Sequence, residues 1–438
     1  MSEQTMPKVL AISLSTWRED SGIHTQTDLF RFWDSDKVAQ IYTKSDLPNT
    51  PVCQKFFRIA ENEVIRSVFK RRAVGKEVEN GADASQAEQA AIRQEAELYK
   101  MAHKKKSWFY TLARECVWRF GCWKSKALDR FVEEFDPDVY FVPIYPVVYM
   151  GWLQLYILKK HPKQYVCYLA DDNYSYMACG KNPLAYIHRF MLRRVVKKLA
   201  VNCDEMFTIT KTEAVDTDNL FGTHSVVLTK GIDYTGLSFE RREPQQPIKL
   251  VYTGNLVIGR HYSLAAIARA LANINKDSVK MTLDIYSPDT FDEKTMALFN
   301  SNGCCFHGRV PREEVYAIQN AADVVVFVES LEKEHRYAAR LSFSTKLTDY
   351  FKSGKCIFAV GDESIAPIEY LRENDAAIIA NEYDQIEQRL RELAEDPSQI
   401  PTYGEKAFDC GRRNHERSVV RDTFVSTITR AANKGKSV

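Results

Sequence analysis

VVVFVESLEKEHRYAARLSFSTKLTDYFKSGKCIFAVG, Val324 to Gly361, decides how the second half of this chain folds. An apolar run of strand length, Val324 to Val328, leads into a polar irregular segment. A helical pattern then begins at Ser344 and Thr345 and stops at Gly354, before a second apolar run, Cys356 to Val360. Strand, helix, strand in that order is the unit of a parallel sheet, because parallel neighbours need a crossover connection. The helix start gathers two hydroxyls and the ammonium of Lys346 around unpaired backbone N–H groups and the positive end of the helix dipole, which makes an anion socket. Each charge-assisted hydrogen bond there contributes about 1.5–3 kcal/mol. Asp349, one turn further on, is placed to accept from vicinal hydroxyls. The plainer reading is a capped helix with a solvated lysine, and the position of the turn between two strands of one sheet favours the socket.

Working outward, the second half reads as strands at 249–252, 280–286, 304–307, 324–328, 356–360 and 376–379 with helices between them. The first half reads as strands at 9–14, 38–42, 139–142, 165–170, 205–209 and 225–228, with helices including 26–33 and 184–200. Such alternation predicts an α/β protein of two Rossmann-like, doubly wound domains, with ligands held in a cleft at the carboxyl ends of the strands. Proline, glutamine and charge in FERREPQQP, 239–247, mark the boundary. The expected domains are 1–235, with a helical insertion at 56–126 outside the sheet, and 248–403. A last helix within 404–438 crosses back to the first domain.

The chain has 438 residues, 60 basic against 58 acidic, leaving a formal charge of +2. That length predicts two domains, and that balance argues against nucleic acid as a partner. Ten cysteines occur without CxxC spacing, which fits a reducing cytosol, and the N-terminal stretch has no secretory pattern. DSD at Asp34 and DPD at Asp136 precede strands, and DTD at Asp216 lies in a helical stretch. Turns and solvated faces account for all three, so no metal is expected.

Several stretches together resemble the GT-B glycosyltransferases, particularly family 4. They are the run just quoted, LVYTGNLVIGRHYSLAAIARAL at 250–271, FHGRVPREEVYAIQNAADVVVF at 306–327, and CDEMFTITKTEAVDTDNLFGTHSVVLTKGID at 203–233. The resemblance implies a retaining transferase using a nucleoside-diphosphate sugar, UDP-linked, with a glycan or lipid-linked oligosaccharide as acceptor in polysaccharide biosynthesis. By that resemblance, Ser344, Thr345 and Lys346 hold the diphosphate, Asp349 the ribose, and the backbone near Arg309 and Val310 the base. Arg260 faces the leaving phosphate; Gly254, Asn255 and Phe343 line the donor site. Gly22, in a loop after the first strand, approaches the donor, with His24 beside it. Asp171 and Asp172, in YLADDNYS at the end of a strand, are placed to orient an acceptor hydroxyl or take its proton. Two departures stand out. The first glutamate of the family's E-x7-E pattern falls on Leu341, which leaves Glu329, Glu332 and Glu334 as alternatives, and no lysine follows Arg260 a few residues on. A nucleotide-sugar 2-epimerase of the same fold and a non-catalytic binding or scaffold protein are the competing readings.

Two segments bear on membranes. The uncharged stretch 139–158 is divided by Pro143, Pro146 and Gly151 and reads as a buried strand, turn and helix rather than a span. Within 104–130, Phe109, Leu112, Cys116, Phe120 and Trp123 recur at 3/4 spacing among lysines and arginines. That pattern fits either a helix packed on the first domain or one lying on an anionic membrane surface. The expected location is therefore cytoplasmic, peripheral on the inner face of the membrane in the second case.

Overall fold

The computed structural model describes residues 6–19, 25–82, 85–86, 88–90, 92–93, 95, 97, 108–179 and 182–434. The chain divides into two compact units, 1–228 with 421–438, and 229–420. The division falls about ten residues before the proline-rich stretch that marks it in the sequence.

The first unit is built on strands β1 (Val9–Ser13), β2 (Val38–Tyr42), β3 (Lys55–Arg58), β4 (Lys76–Val78), β5 (Val139–Pro143), β6 (Gln164–Leu169), β7 (Glu205–Thr208) and β8 (Ser225–Val227). They form one sheet in the order β4-β3-β2-β1-β5-β6-β7-β8. All neighbours are parallel except β3 and β4. β1, β2 and β5 are buried along their whole length, as strands covered by helices on both faces must be.

The sequence reading placed 56–126 outside this sheet, and the structure corrects it. Lys55–Arg58 pairs in parallel with β2, and Lys76–Val78 turns back against it as a short, charged, antiparallel edge. Such an edge discourages pairing with another chain. Helices Glu61–Lys70 and Trp108–Phe120 lie between β3 and β5 in the chain. The uncharged stretch 139–158 holds β5 and most of helix Val148–Lys160. Among the described residues, no helix is long and apolar enough to cross a membrane.

The second unit is a six-stranded, all-parallel sheet: β9 (Ile248–Thr253), β10 (Met281–Tyr286), β11 (Cys304–Gly308), β12 (Val324–Val328), β13 (Cys356–Val360) and β14 (Ile378–Ala380). Its order is β11-β10-β9-β12-β13-β14. The chain therefore winds away from β9 in both directions, and the crevice at the carboxyl ends of β9 and β12 is the topological switch point, where open α/β sheets bind ligands. Helix Arg260–Ile274 follows β9 and helix Thr345–Ser353 precedes β13.

The final periodic segment is two helices, Gln399–His415 and Arg417–Lys434, because Glu416 between them has extended backbone and bridges Ile232. From Arg421 onward the second helix belongs to the first unit. There the Phe424 ring packs 5.0 Å from Phe30 and 5.7 Å from Phe207, and Arg430 forms a bidentate pair with Glu205 at 2.8 Å.

Candidate functional site

The switch point of the second unit collects most of the residues expected to hold a donor. β9 ends in Tyr252 and Thr253, and the chain then passes Gly254 and Asn255 before entering helix Arg260–Ile274. Tyr252 is buried, and its hydroxyl donates to the Asn255 carbonyl at 2.6 Å, which fixes the turn. Across from it, helix Thr345–Ser353 brings Lys346 over the same ring, with Nζ 4.1 Å from the ring centroid. A cation on an aromatic face is attracted by the ring quadrupole.

Gly254 is what lets Lys346 reach that position. Its φ is +131°, and a Cβ there would stand 2.7 Å from Lys346 Nζ and 2.9 Å from Cε. The glycine therefore contributes space and backbone conformation rather than a ligand-binding side chain.

Helix Thr345–Ser353 begins without the expected cap. Ser344 is the N-cap residue in extended conformation, yet its hydroxyl makes no capping hydrogen bond. The first-turn amides and the Ser344 hydroxyl are thus not consumed by one another, and Thr345 is exposed. At the other end Gly354, at φ +62°, closes the helix by donating its N–H to the Phe351 carbonyl, a left-handed cap that glycine supplies without steric cost.

The sequence leaves the sugar-contacting acid open among three glutamates, and the structure shows where their side chains go. Glu329, immediately after β12 and only 2% exposed, receives Arg260 in a bidentate pair, Nε–H at 2.9 Å and Nη2–H at 2.7 Å. Its own backbone is held on both sides: its N–H donates to the Val360 carbonyl at 2.8 Å, and its carbonyl accepts from Ser263 Oγ at 2.7 Å. Glu332 accepts from the Tyr383 hydroxyl, and Glu334 lies in the short helix Lys333–Arg336. Only a carboxylate at the carboxyl end of a strand next to the switch point was a sequence signal for Glu329. Its partner lies 69 residues away.

Charge and burial work against each other here. Burial disfavours the Arg260 charge, but the Glu329 carboxylate outweighs it and holds the guanidinium above its ordinary pKa. Among the described residues, no carboxylate pairs with Lys346. Burial first, and the Arg260 guanidinium second, push its ammonium down to about 7 against the opposing pull of Glu329. A bound anion would therefore favour the charged form of this amine.

The remaining candidates fall as follows. Asp349 is on the exposed side of its helix, 3.7 Å from Lys230 Nζ. Arg309 and Val310 lie in the turn after β11, with Arg309 exposed. Phe343 is a correction: its ring is buried against Tyr370 and His415, so packing rather than ligand contact occupies its side chain. Asp172 is a second one. Its carboxylate accepts from the N–H groups of Tyr174 at 3.1 Å and Ser175 at 2.7 Å and from the Ser175 hydroxyl, which is an Asx turn rather than a poised base. Asp171 beside it is exposed. Gly22 and His24 lie outside the described residues.

Among the described residues, Asp284, Cys305 and His307 form the group whose atoms are spaced to hold a metal ion, within 4.8 Å of one another. The Asp284 carboxylate already pairs with Lys249 at 3.2 Å and His307 at 2.8 Å.

Two doubly wound parallel sheets of this kind form the GT-B glycosyltransferase fold, and the chain matches solved structures of that class. α,α-Trehalose 6-phosphate synthase from Burkholderia multivorans gives a TM-score of 0.57 at 12% identity, over 98% of this chain and 100% of that one. Sucrose-phosphate synthase from Thermosynechococcus elongatus gives 0.57 at 11%, over 96% and 98%. Anabaena HepE in complex with UDP-glucose gives 0.57 at 10%, over 97% and 100%. S. aureus TarM gives a TM-score of 0.48 at 10% identity, and the chain spans 57% of its length. No family model and no curated sequence matches the chain. At these identities the likeness establishes the fold.

Proposed function

We propose that the chain is a retaining glycosyltransferase that moves a sugar from a UDP-sugar to a glycan or lipid-linked oligosaccharide. The observation that carries this reading is the Lys346 amine, without a carboxylate partner among the described residues, held over Tyr252 beside a helix N-terminus that Ser344 does not cap, at the switch point of the second sheet. The diphosphate would lie against the first amides of helix Thr345–Ser353, with Ser344 and Thr345 as further donors. Asp349 would accept from ribose hydroxyls, and the turn at Arg309 and Val310 would border the base. The likeness to GT-B structures, one of them solved with UDP-glucose, supports the same assignment.

In the reaction the bond between the anomeric carbon and the diphosphate oxygen breaks while the acceptor oxygen bonds to that carbon on the same face. The acceptor proton passes to the departing diphosphate. Arg260 keeps its Nη1 group outside the Glu329 pair, and with Lys346 it would stabilise the charge on the leaving oxygen. Neither a carboxylate nucleophile nor a metal is part of this scheme.

The test is incubation with a panel of nucleotide sugars and an acceptor mixture, followed by NMR of the products. Transfer with retained anomeric configuration and release of UDP is the expected result. An isomerised donor would assign epimerase chemistry, and binding without turnover would assign a scaffold.

A further inference from the structure

The first unit carries a groove of about 620 Å³ whose charged lining residues, among those described, are all basic. Trp118, Trp123, Trp152, Leu155 and Tyr156 line it. Arg119, Lys124, Lys159 and Lys160 stand around them and are exposed. It lies between the end of helix Trp108–Phe120, the following turn and the C-terminal half of helix Val148–Lys160.

The surface beside it is apolar and cationic too. Phe120 is 63% exposed and Phe109, on the same helix, 68%. The Cys122 N–H donates to Ser67 Oγ at 3.0 Å. That bond ties the turn to the last residues of helix Glu61–Lys70, where Phe69 is 84% exposed and Lys70, Arg71 and Arg72 follow in a row, all exposed. Among the described residues, Asp129 reaches this cluster, 3.7 Å from Lys160 and accepting from the Tyr156 hydroxyl at 3.0 Å. This arrangement differs from the stripe suggested by the 104–130 sequence. Trp123 of that stripe is buried, while Phe69 and the two lysines of helix Val148–Lys160 come from outside it.

We infer that this face docks on an anionic phospholipid bilayer, with Phe69, Phe109 and Phe120 entering the interface, the partly exposed Trp152 of the groove at headgroup level and the lysines and arginines against lipid phosphates. Aromatic rings with one apolar and one polar side favour that depth. Basic side chains near an anionic leaflet add to the attraction and are screened by salt. A bilayer meets both demands at once, since it presents a continuous apolar layer under a negatively charged one. The inference does not depend on the transferase reading, because none of its residues belongs to the proposed donor site.

The test uses the full chain with vesicles of phosphatidylcholine alone or mixed with phosphatidylglycerol, read by co-sedimentation and by tryptophan emission. Binding to the mixed vesicles at low salt, with a blue shift, is expected, and loss of binding in phosphatidylcholine or high salt. Lys159→Gln with Lys160→Gln should lower partitioning by about thirtyfold. Phe69→Ser with Phe120→Ser should lower it as well; both pairs are exposed, and circular dichroism checks that the variants fold. Equal binding to neutral vesicles, no binding at low salt, or folded variants that bind like the parent would overturn it. Dimer formation abolished by the Phe pair would overturn it in favour of a second copy on this face.

Discussion

At the scale of single residues, Lys346 is the group whose behaviour distinguishes a diphosphate site from an ordinary helix start. Its folded pKa, about 7, lies below the roughly 10.4 of an unfolded lysine. The folded state therefore bears a penalty for the ammonium that is fully present below pH 7 and fades as the pH rises towards 10.4. A bound diphosphate should restore the charge, so binding takes up a proton. The dissociation constant for UDP should rise by up to about tenfold per pH unit above 7, and Lys346→Met should weaken binding about 10- to 100-fold at neutral pH and flatten the profile. Calorimetric titration in buffers of different ionisation heat reads both effects; a wild-type affinity unchanged between pH 7 and 9 would count against the assignment. Glu329→Gln leaves Arg260 without its carboxylate in a mostly buried place. A loss of about 2 kcal/mol, below the usual figure for a fully buried pair because Arg260 keeps some solvent, should be seen in urea denaturation.

Part of this was legible from the chain alone. Ser344, Thr345 and Lys346 announce themselves because hydroxyls and a cation precede a helix pattern between two apolar runs. The Glu329 pairing was not: its place at the end of an apolar run sets it apart from Glu332 and Glu334, but pairing with Arg260 exists only once β9 and β12 are neighbours. Asp172 misled for the opposite reason: a carboxylate at a strand end looks poised until the turn that uses it is seen.

At the scale of elements, long apolar runs read well and short ones did not. Val324–Val328 and Cys356–Val360 match their strands residue for residue, because five buried residues bounded by turn signals leave little choice. Lys55–Arg58 escaped notice with two aromatic residues between two cations, a run too brief to show a period; its sheet pairing is long-range. Packing of helix on helix gives a sharper test. At Gly151, on helix Val148–Lys160, a Cβ would fall 1.9 Å from Val195 Cγ1 of helix Pro183–Ala200. Gly151→Ala should cost about 1–3 kcal/mol through overpacking, and Val195→Ala in the same chain should recover part of it. Thermal unfolding of the single and double variants measures this, and a single variant as stable as the parent would show that the two helices separate freely.

At the scale of the whole molecule, the first unit depends on residues from the far end of the sequence. Phe424 sits among Phe30, Trp33, Phe141 and Phe207, and Phe424→Ala should cost that unit about 3–5 kcal/mol. Truncation after Val420 removes the same ring along with the Arg430–Glu205 pair. Calorimetry should then show the transition of the first unit lowered or lost, while UDP affinity, which the proposal assigns to the second unit, stays within a few-fold of the parent. Loss of UDP binding in the truncated chain would contradict that separation.

That borrowed helix also sets an order of events during synthesis. A chain growing from its N-terminus can finish 229–420 while the earlier unit still waits for the helix from Arg421 onward, its phenylalanines uncovered until that helix emerges from the ribosome. Nascent chains stalled late should therefore engage chaperones through the portion made first.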